Sequence, residues 1–101
     1  MLTITAIIRA RKGQEAAMRQ ALLEVAENVR DHEPITAGYY VAQDVSDACV
    51  FTTYERYPDQ AAMDLHNNSQ AVARFFGVAK PILDGDVILV TANEISNEAG
   101  A

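Results

Sequence analysis

What most limits how this chain can fold is the order in which hydrophobic periods of two and of 3.6 follow one another along it. Leu2, Ile4, Ala6, Ile8 and Ala10 alternate with Thr3, Thr5, Ile7, Arg9 and Arg11, the period of a strand with two unlike faces. Gly13 breaks the pattern. Met18, Ala21, Leu22, Val25, Ala26 and Val29 then recur at helical spacing, with Glu15, Arg19, Glu24, Glu27 and Arg30 off the stripe. Pro34 ends this helix, because the residue before a proline is pushed out of the helical region. Residues 35–44 and 48–57 are dominated by β-branched and aromatic side chains, and Asp44-Val45-Ser46-Asp47 between them has the polar chemistry of a tight turn. A hairpin is expected there. Pro58-Asp59 opens a helical stretch with Ala61, Ala62 and Leu65 directed inward. A second stretch, 69–80, carries Val72, Phe75, Phe76 and Ala79 at helical spacing, with Asn67, Asn68 or Ser69 as its cap. The Asp84-Gly85-Asp86 turn leads to a last apolar strand over 87–95.

The order β-α-β-β-α-β is that of the ferredoxin-like α+β fold, a four-stranded antiparallel sheet with helices on one face. The chain has 101 residues, half of them apolar, enough for one core but not two. Residues 1–96 are expected to form that domain, with 97–101 a flexible tail. The uncovered sheet face would carry Thr3, Thr5, Ile7, Val50, Thr52 and Tyr54, too apolar a surface to stay in water. A homodimer packed through this sheet face is the simplest cover. The alternative is a monomer with an exposed, Thr-rich sheet.

Charge narrows the partners. The net charge is -6 and Lys and Arg are scattered, so no basic surface awaits nucleic acid. The first residues lack a basic segment followed by an apolar run, and no apolar stretch approaches the roughly 18 residues that span a bilayer. No membrane is expected, and a cytoplasmic location is. Cys49 is the single cysteine, has no partner for an internal disulfide and sits in a strand pattern that suits core packing. The two histidines, His32 and His66, are far apart with no cysteine pair near them, so no metal site is expected. Neither a phosphate-binding glycine loop nor a GxSxG elbow is present.

His66 is the side chain best suited to take a proton near neutral pH; the plain structural alternative is a helix-surface histidine bonded to Asp64 or to solvent. His32, near the end of the first helix, complements the helix dipole. Glu55 is expected to pair with Arg9 or Arg56; the alternative is a pocket carboxylate. Tyr57 shares a strand face with Phe51, Thr53 and Glu55.

The chain resembles the antibiotic-biosynthesis-monooxygenase-like domains, among them the quinol and anthrone oxygenases. The likeness runs from about Thr3 to Glu94. It is carried by Arg11-Lys12-Gly13-Gln14-Glu15, by Glu33-Pro34 followed by Tyr39 and Asp44, and above all by Tyr54-Glu55-Arg56-Tyr57 leading to Ala61-Ala62-Met63-Asp64-Leu65-His66. Tyr57 and Gln70 stand where many members have Trp and His, and Ile35 replaces the usual Gly after Glu33-Pro34. Ala6 and Tyr57 occupy the places of the Asn and Trp used by haem-degrading members, so haem cleavage is not implied. The resemblance implies a dimeric α/β barrel and a cofactor-independent monooxygenase acting with dioxygen on a small aromatic substrate such as a quinol, hydroquinone or anthrone. In that reading His66 is the base, Tyr57 an orienting hydroxyl, and Ile8, Phe51 and Phe75 an apolar wall; neither metal nor any other cofactor is required. Two other classes remain open, an isomerase or other proton-transfer enzyme on a small oxo-compound, and a non-catalytic ligand-binding or dimerisation domain.

Overall fold

The alternation at the start of the chain becomes strand β1 (Leu2–Arg9), which buries Ile4, Ala6 and Ile8 and turns Thr5 and Ile7 outward. The structure is a computed structural model describing residues 1–96; the tail expected at 97–101 lies outside the described residues. β1 pairs antiparallel with β3 (Val50–Tyr57) on one side and β4 (Ile88–Asn93) on the other. β2 (Gly38–Gln43) pairs antiparallel with β3, and the sheet order is β2-β3-β1-β4. Helices α1 (Glu15–His32), α2 (Gln60–Asn67) and α3 (Gln70–Ala79) complete a ferredoxin-like α+β fold. Met18, Leu22 and Val25 of α1 and Phe75 of α3 pack against Ala6, Ile8 and Phe51 of the sheet. A smaller cluster joins Ile4 and Tyr57 to Ala62 and Met63 of α2.

Local chemistry sets the element ends. Gly13 turns the chain out of β1 with φ +90°, where a side chain would be strained. The Asp44 carboxylate accepts the Ser46 and Asp47 backbone N–H groups at 2.9 and 2.8 Å, closing the β2-β3 hairpin. Asp59 caps α2 by accepting from the Ala62 N–H, and Ser69 caps α3 by accepting from the Val72 N–H. α1 stops at His32, before Pro34. β2 begins at Gly38 rather than residue 35, because the segment leaving Pro34 first turns, with the Thr36 N–H on the Glu33 carbonyl.

Two expectations are corrected. In α2 the inward residues are Ala62, Met63 and His66, while Ala61 and Leu65 face out and Leu65 is 65% exposed. His66, at 4% exposure, holds the inward position, and Ala62 and Met63 follow at i−4 and i−3. Thr3, expected on the uncovered face, is buried. It lies in register between Arg56 and Ala92, beneath a bidentate bridge from Arg56 to Glu94 with N···O distances of 2.7 and 3.0 Å. Tyr54 also donates to Glu94, at 3.0 Å.

The Arg56 guanidinium holds the Glu94 carboxyl down at about 2 from an ordinary 4.5. A carboxyl more easily ionised in the folded chain contributes stability that is present above its ordinary value and is lost as pH falls through the lowered one. Glu94→Gln is therefore expected to be less stable than the native chain at pH 7, with the difference closing between about pH 4.5 and 2. Urea unfolding at several pH values measures this; a gap that does not change with pH would mean that the ionised pair adds nothing.

Candidate active site

Strand alternation puts Phe51, Thr53, Glu55 and Tyr57 on the face of β3 that the helices cover, and so drives a carboxylate into the core. Glu55 is buried at 6% exposure. Its two strand neighbours on that face supply donors: Thr53 Oγ1 donates to Oε2 at 2.7 Å and the Tyr57 hydroxyl to Oε1 at 2.6 Å. The expected ion pair of Glu55 with Arg9 or Arg56 does not form, because both arginines project from the opposite face. Arg9 pairs with Asp47 and Arg56 with Glu94.

From the helix side comes His66, packed between two tyrosine rings with centroids at 5.3 Å for Tyr39 and 5.6 Å for Tyr57. Its Nδ1 lies 2.8 Å from Glu33 Oε1, and its Nε2 lies 3.6 Å from Glu55 Oε1, too far for a hydrogen bond. The surface-histidine alternative does not hold: the ring is buried and sits between two carboxylates rather than against Asp64. Glu33, the residue after α1, also accepts from Asn28 Nδ2 at 3.2 Å and from Thr36 Oγ1 at 2.9 Å. A carboxylate only accepts, so a neutral His66 donates from Nδ1 and keeps its Nε2 lone pair toward Glu55.

Burial, then the bond to Glu55, pushes the Tyr57 hydroxyl well above the usual tyrosine value. Burial, then the charges of Glu55 and Glu33, does the same to Tyr39. Both phenols therefore remain protonated donors.

Beside this cluster is a cavity of about 270 Å³ between the sheet and helices α1 and α3, near the small end of ligand sites, about 300–1,000 Å³. Its walls are mainly apolar, with Ile4, Ala6, Ile8, Leu22, Val72 and Phe75 among them; Tyr39, Thr53, Glu55, His66 and Asn67 bring the polar groups. Of the residues singled out from sequence, His66, Ile8 and Phe75 border this cavity. Tyr57 is fully buried one layer behind it, and Phe51 lies in the core. Sequence reasoning misses Glu33, Tyr39 and Thr53, and offers Glu55 as a pocket carboxylate only as the alternative to an ion pair. The parity of β3 pointed to Thr53 and Glu55; no local pattern pointed to Glu33 as the partner of His66. Glu33 and Glu55 approach opposite nitrogens of one ring and do not converge as ligands for one ion, and among the described residues no cluster of His, Cys, Asp and Glu is arranged to hold a metal.

The ferredoxin-like sheet thus carries an imidazole between two carboxyl groups at the polar end of a mainly apolar cavity. Residues 1–78 match the family model described as antibiotic biosynthesis monooxygenase, and the chain belongs to that family. It is similar to the solved structure of an antibiotic biosynthesis monooxygenase, at 23% identity and a TM-score of 0.87, over 94% of this chain and 99% of that one. PA3566 from Pseudomonas aeruginosa is 26% identical, with a TM-score of 0.86 over 94% of each chain. Rv0793 from Mycobacterium tuberculosis, 18% identical, superposes with a TM-score of 0.88 over 96% of this chain and 97% of that one. No curated protein matches. Among the described residues no helix is long and apolar enough to cross a membrane.

Tyr57→Phe is expected to cost about 1.5–3 kcal/mol, the range for a hydrogen bond to a charged group, because it withdraws a donor from a buried carboxylate. Urea unfolding checks this, and a loss below about 0.5 kcal/mol, as for an ordinary surface change, would mean that Glu55 does not need that hydroxyl.

Proposed function

We propose that this chain is a cofactor-independent monooxygenase that oxidises an electron-rich aromatic, a quinol, hydroquinone or anthrone, with dioxygen. The observation that carries this reading is the pair of acceptors His66 Nε2 and Glu55 Oε1, 3.6 Å apart at the polar end of the cavity. With the ring neutral no donor lies between them, and a substrate hydroxyl is the group that fits. His66 takes its proton, and the carboxylates on either side stabilise the cationic ring that results. The phenolate or carbanion left behind reduces dioxygen and captures the resulting oxygen species; loss of water, made from the second oxygen atom and two substrate hydrogens, then leaves the oxidised ring, and a bound substrate displaces water from the cavity. The substrate thus supplies the electrons. Ile8 and Phe75 form the apolar wall, Phe51 supports it from the core, and Tyr57 orients the substrate indirectly through Glu55. The lining carries no Lys or Arg, which favours a neutral substrate over a carboxylated one.

The reading extends to a cytoplasmic homodimer, a dimeric α/β barrel closed through the outer sheet face by the domain of residues 1–96. Ile7, Tyr40, Tyr54, Ile88 and Val90 are all exposed on that face, Val90 at 53%. A surface of this kind is usual for an interface rather than for solvent. Sedimentation should give twice the chain mass, and Val90→Glu should give monomers; a native chain that sediments as a monomer would remove the dimer.

Dioxygen uptake by protein freed of metal and flavin, measured against a panel of hydroquinones and anthrones, tests the activity. His66→Ala is expected to slow uptake by about 10²-fold or more. No protein-dependent uptake across the panel would end the oxygenase reading.

A further inference from the structure

The His66 ring stands in a wall between two spaces. On one side is the cavity of about 270 Å³, which His66 borders and Glu33 does not. On the other is a surface groove of about 440 Å³, which Glu33 borders and His66 does not. Exposed Ile35 and Leu65 flank that groove. Glu33 is 14% exposed at its side chain, and Asn28 and Thr36 fix both of its oxygens. The ring therefore bridges the two spaces, Nδ1 toward the groove through Glu33 and Nε2 toward the cavity beside Glu55.

We propose that Glu33 is a positioning residue that sets the His66 tautomer and connects the base to bulk water through the back of the cavity wall. The proposal rests on the reading of His66 as the base. A substrate that fills the cavity closes the direct route from Nε2 to water, and the route through Glu33 stays open. The substrate hydroxyl proton passes to Nε2, the Nδ1 proton passes to Glu33 Oε1, and Glu33 releases it to water in the groove. The return runs over the same atoms: a proton from the groove reaches Nδ1 through Glu33, and Nε2 gives its own to the anionic oxygen intermediate. One proton leaves and one returns, and no electrons cross the path.

The groove is wide enough for a small carboxylate, which makes chemical rescue the test. Ring-¹⁵N NMR of the substrate-free protein is expected to place the proton of neutral His66 on Nδ1. Glu33→Ala should shift the ring toward the Nε2–H form and formate should restore it. Turnover in Glu33→Ala should fall by about 10²-fold and recover in part with formate, with no recovery in His66→Ala. Glu33→Gln, which keeps an acceptor for Nδ1 but takes up no proton, should retain the tautomer yet lose about 10²-fold in rate. An unchanged tautomer in Glu33→Ala, or full activity in Glu33→Gln, overturns the proposal. If formate restores the tautomer but no variant nor the native chain consumes dioxygen, the coupling of Glu33 to His66 is upheld and the oxygenase reading alone fails.

Discussion

A carboxylate buried in the core of a small sheet constrains everything around it. Taking Glu55 out of water costs several kcal/mol unless donors replace its hydration, and the structure supplies them from the same strand. Thr53 and Tyr57, each two residues away, face the same side and donate one hydrogen bond to each oxygen. The three side chains act as one unit built into the pleat of β3. No Lys or Arg reaches this unit, so the negative charge is not neutralised within the sheet. What meets it is an imidazole, a group whose own charge can change.

That meeting determines the rotation of α2. Apolarity alone turns Leu65 inward, where it would bury a full aliphatic side chain; instead Leu65 lies in the open and His66 occupies the inward position. The cost is about 1.5–3 kcal/mol of lost burial. The hydrogen bond from Nδ1 to Glu33 and two flanking tyrosines offset it. That bond depends on the end of α1: Pro34 prevents another helical turn, and Glu33, left as the terminal cap, extends its side chain to His66. The end of α1 and strands β2 and β3 thus converge on one ring of α2, and their packing fixes where that ring sits.

Periodicity explains why the architecture was legible and why half of the site was not. The alternation of β1, the stripe of α1 and the polar turn at Asp44 are local signals, and each appears where expected. Where a segment had two plausible arrangements, the choice depended on contacts that no period records. His66 and Glu33 are 33 positions apart, and nothing in either stretch marks the pair. Glu55 is more instructive. Its strand parity already separated it from Arg9 and Arg56, yet the abundance of neighbouring cations suggested a surface ion pair; the geometry of the pleat decided otherwise. Thr3 shows the reverse case, a correctly assigned face whose burial comes from the Arg56–Glu94 bridge.

The outer face and the cavity are linked through β4. All six of its residues are exposed, and on its helix side Leu89 forms part of the cavity wall. On the opposite side Ile88 and Val90 lie in register with Ile7 and Thr5. A strand that pairs with one neighbour only is the least restrained part of a sheet. A second sheet packed on Ile88 and Val90 would restrain it, and with it the position of Leu89. In the proposed dimer the interface therefore does more than cover apolar surface: it holds the strand that completes the wall opposite Glu55 and His66. Assembly would then bear on how closely the cavity fits its substrate, although the partner need contribute no side chain to the chemistry.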